Sequence, residues 1–132
     1  EEALDLRTSM DAARLVGRVL EAGNSTARVL LLTDPDSRVV SLADQSRAQG
    51  VIAGDGSSHL KMDYLELESG AAVEETVSTS GMSGIFPKGI RIGKITGLTR
   101  DASGLHLEAR VEPFVRFSKL EEVLCLASSR SK

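Results

Sequence analysis

Fifteen residues, Thr79 to Gly93, decide most of what this chain can become. They read Thr79-Ser-Gly-Met-Ser-Gly-Ile-Phe-Pro-Lys-Gly-Ile-Arg-Ile-Gly93, with Gly81, Gly84, Pro87, Gly89 and Gly93 set between two β-type runs. Glycine reaches positive φ without steric cost, and proline fixes φ while removing a donor, so the backbone here must turn along a path specified residue by residue. Ile85 and Phe86 lie among these turn residues. Two bulky apolar groups in a glycine-rich loop predict that its tip plugs a core.

The rest of the chain reads as short strands. Leu105, Leu107, Ala109 and Val111 alternate with His106, Glu108, Arg110 and Glu112, the pattern of a half-exposed strand. Leu60, Met62 and Tyr64 alternate in the same way with Lys61 and Asp63, which predicts that all three face a core. Ala27 to Thr33 is a continuous apolar run ended by Asp34-Pro35-Asp36-Ser37. Val39 to Leu42 and Gly50 to Ala53 are short strand candidates, with Gly54-Asp-Gly-Ser57 as the turn that follows. Ile90 and Ile92 fall in one phase and Ile95 in the other, so a bulge near Gly93 or Lys94 is needed to bury all three. Ser9 to Glu21 has helical periodicity, but Gly17 inside a helix costs about 1 kcal/mol against Ala. Leu15-Val-Gly-Arg-Val19 with Ala27-Arg-Val29 also echoes Arg91-Ile-Gly-Lys-Ile95 with Ala109-Arg-Val111, a strand-turn-strand unit repeated. The lead, residues 1–13, is acidic and poor in β-branched residues; it reads as a helix end or a disordered segment, and the polar tail, 128–132, as disordered. Many short strands without a major interior helix predict an all-β fold of small barrels or a sandwich.

A chain of 132 residues holds one domain or two small ones and buries roughly two-thirds of its unfolded surface. Aromatic residues make up 3% and Trp is absent, so bases have no stacking platforms; with a net charge of −3 and no Lys/Arg cluster, nucleic acid is not an expected partner. Cys125, the single cysteine, lies in the apolar run Val123 to Leu126 and reads as a small buried hydrophobe.

Thr79-Ser80-Gly81, Phe86-Pro87-Lys88-Gly89 and Ile92-Gly93-Lys94-Ile95 resemble the TSG, FPKG and VGxV pattern of the bacterial rod shape-determining MreC family. Leu15-Val16-Gly17-Arg18-Val19, Arg28 to Pro35, Val111-Glu112-Pro113 and Leu120 to Leu124 extend the resemblance from Leu15 to Leu126. It makes Leu15 to Val19 a strand and implies two small β-barrel-like subdomains. We expect one at 26–68, inserted into a second made of 14–25 plus 69–127. Gly17, Thr79, Ser80, Gly81, Gly84, Phe86, Pro87, Gly89 and Gly93 are then structural motif residues. The sequence departs from the family at Glu75-Thr76, where Gly-Asp is usual, and at Ser41 after Val39-Val40.

The function the resemblance implies is a non-catalytic scaffold of the cell-wall elongation machinery, periplasmic and anchored by an N-terminal transmembrane helix. Its implied partners are an elongation-specific class B penicillin-binding protein, the membrane protein MreD, and the actin-like MreB through an N-terminal part; self-association is implied as well. No cofactor is expected. Val39, Val40, Leu42, Met62 and Tyr64 include more apolar side chains than one small core need absorb. They either fill that core or present β surface to the partner.

The alternative is a trypsin-like serine hydrolase, with Ser83 in Gly81-Met-Ser-Gly84 as nucleophile behind His59 and Asp63. A triad needs its base beside the nucleophile and a carboxylate beside the base. Along one extended strand His59 and Asp63 stand about 13 Å apart, beyond hydrogen-bond reach, so no catalytic residue is assigned. His59 and His106 lie on unrelated strands, and Asp34 to Ser37 lacks the ligand count and glycine of a calcium loop, so no metal site is assigned.

Overall fold

The computed structural model describes residues 2–5, 14–82, 86–119 and 124–126. The strands are β1 (Glu2–Asp5), β2 (Arg14–Ala22), β3 (Ala27–Leu31), β4 (Arg38–Ala43), β5 (Gln49–Gly54), β6 (Leu60–Glu66), β7 (Thr76–Thr79), β8 (Arg91–Arg100), β9 (His106–Pro113) and β10 (Leu124–Leu126). No α-helix occurs among the described residues, and none there is long and apolar enough to cross a membrane. The fold is all-β.

Six strands close on themselves in the order β4, β5, β6, β9, β8, β7 and back to β4, every pair antiparallel. Closure leaves this barrel no unpaired edge. Val39, Ile52, Leu60, Met62, Leu65, Val77, Ile92, Ile95, Ala109 and Val111 fill its interior, each at most 3% exposed. Outside it, β10, β1, β2 and β3 form an open antiparallel set, joined to the barrel by a parallel bridge between Arg14 and Arg91. The strand ladders cross the boundary expected at 68/69. β4 pairs with β7, and β6 with β9, so segments on both sides share one barrel. Such pairings join residues far apart in sequence, and local periodicity carries no record of them.

The sequence echo is a structural repeat. On β2 and β3, Gly17 faces Leu31 and Val19 faces Val29, then the register slips and Glu21 faces Arg28. On β8 and β9, Gly93 faces Pro113 and Ile95 faces Val111, then the register slips and Gly97 faces Arg110. In both copies the glycine lets a partner-strand carbonyl approach: a Cβ at Gly17 would strike the Leu30 oxygen, and one at Gly93 the Glu112 oxygen. The copies differ in surroundings. Ala109 and Val111 are buried in the closed barrel, whereas Ala27 is exposed and Val29 half-buried beside the small cluster of Val16 and Val115.

The expected bulge is found on β8, where Gly93 faces Val77 but Arg91 faces Ser78, so Ile92 is the extra residue. Ile90, Ile92 and Ile95 all reach the core. The lead differs from expectation: Glu2–Asp5 is a strand paired with both β2 and β10. Four residues are too short to declare a period. Leu120 to Val123, the tail 128–132 and the side chain of Cys125 lie outside what is described.

Candidate functional site

The five expected partner-binding residues separate by depth. Val39, Leu42 and Met62 are buried at 2%, 7% and 0% exposure, which corrects their assignment to a docking surface. Val40 is half-buried and pairs with Val51. Tyr64 stands out at 62% exposure. The reason is a bulge: Met62 faces Ala109 and the next registered pair is Leu65 with Leu107, so two residues of β6, Asp63 and Tyr64, span the place of Glu108. Tyr64 turns to φ 69°, and Leu65, fully buried, takes the inward position that strict alternation gave to Tyr64.

The glycine-rich loop is held by its own first residue. Thr79 Oγ1 accepts from the Ile90 amide at 2.9 Å and donates to the Pro87 carbonyl at 2.5 Å. The Thr79 amide donates to Ile90 and its carbonyl accepts from Gly89, both at 2.9 Å. Ser80 Oγ accepts from Met82 and the Ser80 amide donates to Val40, which fastens the loop to β4. Gly81 has φ 77°, and a Cβ there would press on Lys88. Phe86 is 6% exposed in the core; with Gly17, Leu30, Leu32 and Val39 it borders a cavity of about 140 Å³. The ring thus sits where the barrel meets the β2–β3 hairpin. Ser83, Gly84 and Ile85 lie outside the described residues.

Glu75 carries a role that no sequence signal announced. Only 5% exposed, its carboxylate accepts from the amides of Gln45 at 2.8 Å, Ser46 at 2.5 Å and Ala72 at 3.1 Å, tying the β4–β5 turn to the β6–β7 connection. Burial pushes its pKa up, but the amides of Ser46 and Ala72, the Ser46 hydroxyl and the Gln45 amide outweigh that and hold it below the ordinary value. Glu74 has φ 81°, a conformation that favours glycine.

Nothing described around His59 builds a hydrolase. Its ring nitrogens meet Arg110 Nη2 at 3.0 and 3.2 Å and Nδ1 meets Ser58 Oγ at 3.4 Å, a cation and a hydroxyl where a triad base needs a carboxylate. Asp63 pairs across the sheet with Val51. A cleft of about 650 Å³ lined by His59, Lys94, Glu112, Phe114, Arg116 and Phe117 lies alongside. Among the described residues no group of three or more His, Cys, Asp or Glu is placed to hold a metal ion.

Comparison with known proteins agrees with this architecture. The cell shape-determining protein MreC of Caulobacter vibrioides is 39% identical over 79 residues, covering 60% of this chain and 23% of that protein. A solved MreC structure from Listeria monocytogenes superposes with a TM-score of 0.79 at 31% identity, over 92% of this chain and 58% of that one. A chain in the complex between penicillin-binding protein PBP2 and MreC from Helicobacter pylori shares the fold, with a TM-score of 0.66 at 19% identity over 86% of this chain and 68% of that one. This chain spans between about a quarter and a half of the length of the first curated relatives, at 23%, 38% and 46%. The family model described as rod shape-determining protein MreC, barrel core, matches residues 8–127, and the chain belongs to that family.

Proposed function

We propose that this chain is the extracytoplasmic β module of a cell-shape scaffold, and that it works by binding a periplasmic penicillin-binding protein without catalysing a reaction. The observation that carries the reading is the shared fold with the Helicobacter pylori complex of PBP2 and MreC. The closed barrel suits such a role, because a pre-formed surface loses little conformational entropy on binding. Contacts with MreD and MreB, self-association and an N-terminal membrane anchor belong to the same reading.

Isothermal titration of this chain against the periplasmic part of the cognate penicillin-binding protein tests it. A 1:1 complex with a dissociation constant of about 1 to 100 μM is expected for a transient interface of modest area. No heat of binding at the upper end of that range would remove the scaffold reading.

A further inference from the structure

We propose that the outward face of the β6–β9 ladder, centred on Tyr64, is the docking surface for a basic protein surface; this names the site and chemistry of the binding proposed above and rests on it. Three observations converge there. The first is backbone strain. An aromatic residue at φ 69° is an outlier. The bulge that delivers Leu65 to the core needs only a residue that tolerates the left-handed region, which glycine does without penalty. Burial in the core does not account for a tyrosine here, since the residue is 62% exposed. Strained positions of this kind mark functional sites.

The second is an apolar patch. The Tyr64 ring packs edge-to-face on His106, centroids 5.8 Å apart at 86°, so the anchor is held in place before any partner arrives. The ladder ends at the pair Glu66 and His106, and just beyond it Leu67 and Leu105 are 38% and 70% exposed. Tyrosine suits the centre of an interface because it covers a large area with few rotatable bonds.

The third is charge. Asp63, Glu66 and Glu108 lie on these strands around Tyr64, and Asp101 meets His106. Arg100 is the cationic group among them, with Nη1 at 3.5 Å from the Gly104 carbonyl, and His106 Nδ1 lies 3.7 Å from Asp101. Lys61 and Arg110 pair with each other at the opposite end of the ladder. A tyrosine ringed by carboxylates complements a surface bearing Lys and Arg, which gain both ion pairs and contact with the ring.

The test titrates the same periplasmic penicillin-binding protein with the wild-type chain, Tyr64→Gly, Leu105→Ser and the double reversal Glu66→Lys/Glu108→Lys. Tyr64→Gly is expected to raise the denaturation midpoint, because strain is relieved, while weakening binding about tenfold or more. The reversal is expected to weaken binding by a similar factor, and wild-type affinity is expected to fall as salt rises from about 50 to about 300 mM. If the wild type binds and the variants bind within about twofold of it, the patch assignment is overturned and the scaffold reading stands. A lower midpoint for Tyr64→Gly with unchanged affinity would make Tyr64 a packing residue and overturn it too. Absence of wild-type binding removes both proposals.

Discussion

Replacing Phe86 with Ala is expected to lower the free energy of unfolding by about 3 to 5 kcal/mol, the range for removing a buried phenylalanine. The ring is 6% exposed and sits among Gly17, Leu30, Leu32 and Val39, so it bridges the barrel and the β2–β3 hairpin. A cavity of about 140 Å³ already borders it. Truncation enlarges that void, and the loop cannot easily collapse into it, because Thr79 fixes the path through Pro87, Gly89 and Ile90. Urea denaturation reads the effect as a lower midpoint at an unchanged slope. An unchanged midpoint would show that the loop does not plug the core.

The second large effect is expected at Glu75. Substitution by Gln removes the charge from three charge-assisted hydrogen bonds and turns one side of the amide into a donor that faces amide donors. The expected loss at pH 7 is about 2 to 4 kcal/mol, since buried donors left without acceptors cost about 1 to 3 kcal/mol each and neighbouring sites are not additive. The pH dependence has a definite sign. The native pKa of Glu75 lies below its ordinary value of 4.5. Its contribution is therefore fully present above that value and is lost as pH falls through the depressed native pKa. The stability gap between wild type and Glu75→Gln should begin to narrow as pH falls below the ordinary value of 4.5, and close as it falls through the depressed native pKa, where the folded carboxyl becomes protonated. Stability curves that stay parallel from pH 7 to pH 3 would contradict this role.

The elements with a strong local signature were legible. The alternation from Leu105 to Glu112 gave β9, and the glycine-rich stretch gave a turning loop whose Phe86 is buried. The phase conflict among Ile90, Ile92 and Ile95 demanded a bulge, and β8 has one at Ile92. The paired motifs at Gly17 and Gly93 announced a repeat that holds rung by rung. Closure of one barrel across the expected boundary was not legible, because the β4–β7 and β6–β9 ladders depend on partners distant in sequence.

The candidate surface was half legible for a related reason. Val39, Leu42, Met62 and Tyr64 look alike to a period-two reading, and only the bulge at Asp63–Tyr64 sends one of them outward. A non-glycine residue at positive φ leaves no mark in the sequence. Glu75 was equally silent, one carboxylate among 19 acidic residues until the turn amides of Gln45 and Ser46 are seen to converge on it.

The central claim is that this chain is a pre-formed docking module, and hydrogen–deuterium exchange with and without the penicillin-binding protein tests it most directly. In the free chain the amides of β4 to β9 are expected to exchange slowly, at rates set by global unfolding. Adding the partner should then slow exchange further near Tyr64, Leu67 and Leu105 while leaving the relative order of the barrel ladders unchanged. Barrel amides that exchange rapidly in the free chain and become protected only in the complex would mean that the fold is made by binding, and would contradict the claim.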